Sequence, residues 1–146
     1  MFLTFDTETT GLPKNFNAPV SESENWPRLV QLAWQLNDNN GRLISVNSHI
    51  IKPDGYSIPY NSEKIHGIST EIALKEGKKL GDILKEFEKD LLRSKYIIGH
   101  NIKFDINIVG AEHYRKNFKS SIEDKLKIDT AIISKSFCNL QGGLGG

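Results

Sequence analysis

The chain changes its pattern of apolar and polar positions several times, and each change marks an element. Phe2-Leu3-Thr4-Phe5-Asp6-Thr7-Glu8 is rich in aromatic and β-favouring residues and predicts a strand. Thr9-Thr10-Gly11-Leu12-Pro13 breaks it, and residues 14–27, with their Asn, Pro, Ser and Glu, read as loop. A second strand follows over 28–36. Asn37-Asp38-Asn39-Asn40-Gly41 is a turn signal, since Asn and Gly tolerate positive φ, and a third strand runs over 42–51. Residues 52–67 read as loop, with prolines at 53 and 59, and Ser69 is placed to cap a short helix reaching about Lys75. Leu80, Leu84, Phe87 and Leu91 recur at helical spacing and predict an amphipathic helix over 80–92. Tyr96-Ile97-Ile98-Gly99 is a short buried strand. Ile106, Val109 and His113 mark a helix over 104–115, and Leu126 to Ile133 is a fifth strand running into a helix start. The order β β β α β α β implies an α/β domain with a mixed sheet and helices on its faces.

Composition narrows the class. With 146 residues, 38% hydrophobic and 25% charged, the chain is an ordinary single domain, not a fibrous or disordered one. Cys138 is the one cysteine, so no internal disulfide forms. No apolar stretch approaches the roughly 18 residues of a membrane helix. Met1 to Phe5 lacks the basic start and longer apolar run of a signal peptide. These features read as a soluble, cytoplasmic protein. The net charge of +1 hides an asymmetry: residues 1–73 carry 5 basic and 8 acidic side chains, residues 74–146 carry 14 and 10. A basic half beside an acidic half suits a polyanion brought to metal-binding carboxylates, although most lysines over 75–95 also fit a solvated helix face.

Three clusters carry candidate chemistry. Asp6 and Glu8 alternate on a strand, so they project to one face near its carboxyl end. Like charges so close favour a cation between them, and two hard oxygen ligands suit Mg²⁺ or Mn²⁺. The plain alternative is an exposed acidic pair at a strand end. Asp105 falls in the first turn of a helix beside the end of Tyr96–Gly99, where sites gather in open α/β sheets. A helix-start Asp favoured by the dipole is the alternative there. His66-Gly67, in a loop leading to a helix, either stacks on a base or turns the chain.

FDTETTGL (Phe5 to Leu12), KIHGIS (Lys64 to Ser69) and GHNIKFD (Gly99 to Asp105), in that order, resemble the DEDD 3′–5′ exonucleases, specifically the branch containing the epsilon proofreading subunit of bacterial DNA polymerase III. The resemblance runs from Met1 to about Phe137, and Ile128-Asp129-Thr130 looks like the family's next strand. It implies a ribonuclease H-like fold: a mixed five-stranded sheet, an antiparallel meander of three strands plus parallel strands, flanked by helices. It also implies phosphodiester hydrolysis with two Mg²⁺ or Mn²⁺ ions. One ion activates water and the other offsets charge on the leaving 3′ oxygen. Asp6, Glu8 and Asp105 match the metal-binding catalytic carboxylates. Thr9, Gly11 and Leu12 match the stretch against the 3′-terminal nucleotide, and His66 and Gly67 match the loop near it. His100, Asn101 and Phe104 match positions shaping the substrate pocket. The implied partners are a single-stranded 3′ end, DNA ahead of RNA, and the catalytic subunit of DNA polymerase III, with no membrane.

The family's third motif, a His followed five residues later by an Asp, is not in this sequence: His113 plus five is Phe118, and no acid follows Asp129. The expectation is a single exonuclease-like domain over 1–146, truncated at its C-terminus and missing its closing helices. Metal binding should then be weak and hydrolysis slight or nil. The alternatives are an RNA-trimming exonuclease and a non-catalytic module that holds a 3′ end or a polymerase. Asp129 reads as structural rather than a ligand, Trp26 and Trp34 as packing residues, and His49 and His113 as structural. The Gly-Gly-Leu-Gly-Gly end reads as a flexible tail or a chain cut in a loop.

Overall fold

The computed structural model describes residues 1–138; the glycine-rich end lies outside the described residues. Five strands form one sheet in the order β3-β2-β1-β4-β5. They are β1 (Phe2–Thr9), β2 (Leu29–Asn37), β3 (Leu43–Ile50), β4 (Tyr96–Gly99) and β5 (Leu126–Asp129). β1, β2 and β3 form the antiparallel meander, and β4 and β5 add in parallel on the other side of β1. The mixed five-stranded α/β sheet read from the sequence is therefore present. Its hairpin turn is held by Asp38, whose Oδ1 accepts from the N–H groups of Asn40 and Arg42, with Gly41 at a φ of 81°.

Alternation in β1 buries Leu3, Phe5 and Thr7 and leaves Thr4 and Asp6 exposed. The buried row meets α3 (Leu80–Arg93), which turns Leu80, Ile83, Leu84, Phe87 and Leu91 inward. Phe87 packs edge-on against both Phe5 (centroids 5.3 Å apart) and Trp34 (5.5 Å). The Trp34 indole N–H donates to Asp90 at 3.0 Å, so the one acid on the buried face of α3 has a partner. α4 (Lys103–Arg115) follows β4 and covers the same side of the sheet, through Ile106, Ile108 and Val109.

The segment 52–67, read as loop, contains a helix. α1 (Tyr60–His66) begins after Pro59, which fixes φ for helix entry, and ends at Gly67, whose φ of 77° is left-handed. Its pattern hid it: Ser62 is its one buried residue and Ile65 is 84% exposed, so no apolar stripe marks it. α2 (Thr70–Glu76) starts as expected, with Ser69 Oγ accepting from Ile72 N–H at 3.1 Å. The fifth strand ends at Asp129, earlier than the pattern predicts. Two short helices follow, α5 (Thr130–Ile133) and α6 (Lys135–Cys138). Among the described residues no helix is long and apolar enough to cross a membrane.

Candidate active site

β4 pairs with β1 only along Phe2–Thr4 and then turns away into α4. Gly99 permits that close turn, since a Cβ there would stand 2.9 Å from Ile102 Cγ1 and 3.2 Å from the Phe5 carbonyl. The last residues of β1 thus lose their neighbour on this side, and the start of α4 fills the gap. Asp105 Oδ1 accepts from Thr7 N–H at 3.0 Å and from Thr7 Oγ1 at 2.6 Å, both buried. The residue between the two candidate carboxylates of β1 therefore fixes the third.

Asp105 is 3% exposed. Burial pushes its carboxyl up to about 6, Asp6 adds to the rise, and the Thr7 hydrogen bonds oppose it. Glu8 is also raised, first by burial, then by Asp6, with His66 acting the other way. Asp6 thus faces both other carboxylates electrostatically. The donor set is all oxygen and its mutual repulsion is relieved by a positive ion, so these residues fit a hard divalent cation. The structure does not gather them tightly: among the described residues no group of three or more His, Cys, Asp or Glu side chains is close enough to hold a metal.

The other candidates surround these acids. Thr9 Oγ1 donates to the Gly11 carbonyl at 2.7 Å, shaping the turn that leaves Leu12 74% exposed. His66 closes α1, and its Nδ1 accepts from Ile68 N–H at 3.1 Å. In the neutral ring the proton is therefore on Nε2, which is buried and has no partner among the described residues. Gly67 supplies the left-handed step that makes this contact. His100 and Asp6 line one shallow cavity of about 590 Å³ on the open face of the sheet, together with Gly99 and Thr130. Asn101 adopts a φ of 55°, and its N–H donates to Asp129 Oδ1 at 2.9 Å. The same oxygen caps α5 through Ala131 N–H, so Asp129 has the structural role expected. Phe104 is half-buried and packs on the main core.

Sequence reasoning missed Glu112. It is fully buried on α4, ion-pairs with Arg28 at 2.9 Å and Arg115 at 3.0 Å, and accepts from Leu29 N–H. A Glu directly after the run Ile108-Val109-Gly110-Ala111 was the available signal, since a buried acid needs partners. It also missed Thr7, which the alternation of β1 already placed on the buried face.

The family model for exonuclease domains (RNase_T, Exonuclease) matches residues 3–142, and the chain belongs to this DEDD family. Enzymes of the family use divalent metal ions. The 3′-5′ exonuclease DinG of Bacillus subtilis (strain 168) is 29% identical over 134 residues, which cover 92% of this chain and 13% of that protein. E. coli exonuclease I in complex with a dA16 oligonucleotide superposes with a TM-score of 0.75 at 21% identity, over 96% of this chain and 30% of that one. An exonuclease I/SSB-Ct complex gives 0.74 at the same identity and coverage. The likeness to exonuclease I establishes the ribonuclease H-like exonuclease fold. The chain spans less than a third of the length of each of these proteins.

Proposed function

We propose that this chain forms the core of a divalent-metal-dependent 3′–5′ exonuclease that acts on single-stranded DNA ends, of the proofreading type. One observation carries the reading: Asp6 and Glu8 share a face at the carboxyl end of the central strand, with Asp105 tied to the residue between them. The relatives support the substrate, one being a 3′-5′ exonuclease and another holding a DNA oligonucleotide. Asp6 and Glu8 are the residues to hold Mg²⁺ or Mn²⁺, with Asp105 beside them. When bound, such an ion supplies an activated water and offsets charge on the leaving oxygen.

The remaining work falls to residues of the chain itself. Thr7 keeps the Asp105 carboxylate in one orientation. His66, whose Nδ1 accepts from Ile68 N–H, holds the loop beside Glu8. Leu12 packs against the terminal base, a contact that tolerates any sequence because every base has an apolar face. Proofreading further implies a polymerase catalytic subunit as partner. With no His-x-x-x-x-Asp in the sequence, the fourth carboxylate and the water's base are lacking, so residues 1–146 alone should cut weakly or not at all.

The test is release of nucleotides from 5′-labelled single-stranded DNA with Mn²⁺, beside Asp6→Ala. A ladder shortening from the 3′ end and lost in the variant establishes hydrolysis with the three carboxylates present. No cleavage, with Mn²⁺ binding that needs Asp6, supports a nuclease site requiring further groups. DNA binding indifferent to Mn²⁺ and to Asp6 overturns the reading in favour of a plain binding module.

A further inference from the structure

The loop between β1 and β2 is tied by a dense set of hydrogen bonds for a stretch so polar. Asn15 and Asn25 clasp each other: Asn15 N–H donates to Asn25 Oδ1 at 2.8 Å, and Asn25 Nδ2 donates to the Asn15 carbonyl at 2.9 Å. Asn15 Oδ1 also accepts from Asn17 N–H, and its carbonyl from Ala18 N–H, closing a turn. Arg115, held by Glu112, donates to the carbonyls of Ser23 and Trp26. Pro13, Ala18 and Trp26 anchor the loop by burial. At the second position of the Asn15–Ala18 turn stands Phe16, 50% exposed and part of neither hydrophobic cluster. A fixed loop that holds an aromatic ring in solvent has given up the burial that ring would gain in a core. Cations lie near it: Lys14, two residues before, is exposed, and Lys103 Nζ lies 3.5 Å from Oδ1 of the next residue, Asn17.

An exposed ring on a hydrogen-bonded loop with lysines nearby is what single-stranded nucleic acid binds, bases stacking on the ring and phosphates meeting the cations. We propose that Phe16 is a second stacking platform, which receives a base upstream of the 3′-terminal nucleotide, with Lys14 and Lys103 on the neighbouring phosphates. The inference rests on the function proposed above. Phe16 is four residues from Leu12, so their Cα atoms lie at most about 14 Å apart, within a few nucleotides of one strand.

The experiment uses oligo-dT carrying one 2-aminopurine, moved from the 3′ end through the first five positions, in EDTA to prevent cutting. Fluorescence and affinity are read for the wild-type chain, Phe16→Ala, Phe16→Trp and Leu12→Ala. The expected result is a Phe16-dependent quench at an internal position and not at the terminus. Phe16→Ala should bind about tenfold more weakly, and Phe16→Trp should restore binding. Wild-type binding and quenching that Leu12→Ala weakens and Phe16→Ala leaves unchanged overturns this inference alone. No binding by the wild-type chain overturns the proposed function with it. Phe16 is exposed, so unchanged melting of its variants confirms that folding is not the cause.

Discussion

Asp105 is where stability and the proposed activity pull apart. Its carboxyl is raised to about 6, so the folded state holds its proton more tightly than the unfolded chain does. The stabilising contribution is therefore fully present below the usual carboxylate range and is lost as pH rises toward 6. Above that, the buried charge costs about 2–3 kcal/mol. Asp105→Asn keeps an oxygen for the two Thr7 bonds and removes the charge. Metal-free melts should show the variant more stable than wild type at pH 8, equal to it near pH 4, and weaker in binding Mn²⁺. Equal melting curves at pH 8 would contradict the burial argument. Glu112 has the opposite sign. It satisfies two guanidiniums and a backbone N–H, so Glu112→Ala leaves buried donors without an acceptor and should cost about 3–5 kcal/mol in urea denaturation.

At the scale of elements, Ser69 and Gly67 set how α1 hands over to α2. Ser69→Ala removes the one side-chain cap of α2 and should lower stability by about 1 kcal/mol in thermal melts. Which elements were legible in the sequence follows from the range of the forces that make them. β1 and α3 announce themselves through residues a few positions apart, since Leu3, Phe5 and Thr7 alternate and Leu80, Leu84, Phe87 and Leu91 recur along one face. α1 does not, because a helix that buries little leaves no stripe. The site divides in the same way. Asp6 and Glu8 are neighbours on one strand and could be paired by counting. Thr7 with Asp105, and Arg28 with Glu112, are 98 and 84 residues apart, and only the folded sheet brings them together.

For the whole molecule, the excess of basic residues after Ala73 becomes a measurable property once a polyanion is involved. Binding of oligo-dT should weaken steeply as salt rises, with log K falling linearly in log salt concentration. Phe16→Ala should lower affinity without altering that slope, because the ring touches bases rather than phosphates, whereas Lys103→Ala should make the slope shallower. A slope unchanged by Lys103→Ala would remove that lysine from the strand's path.

The strand order also separates local from non-local parts of the site. β1, β2 and β3 pair with one another in chain order, so this half of the sheet needs only residues 2–50. The other edge of β1 must wait for β4, and the Thr7 N–H for Asp105. Without β4 and α4, the central strand would have a bare flank and no third carboxylate beside Asp6 and Glu8. The acidic pair is therefore completed by a contact spanning 98 residues of chain, the kind of non-local pairing whose loop-closure cost makes it slow to form.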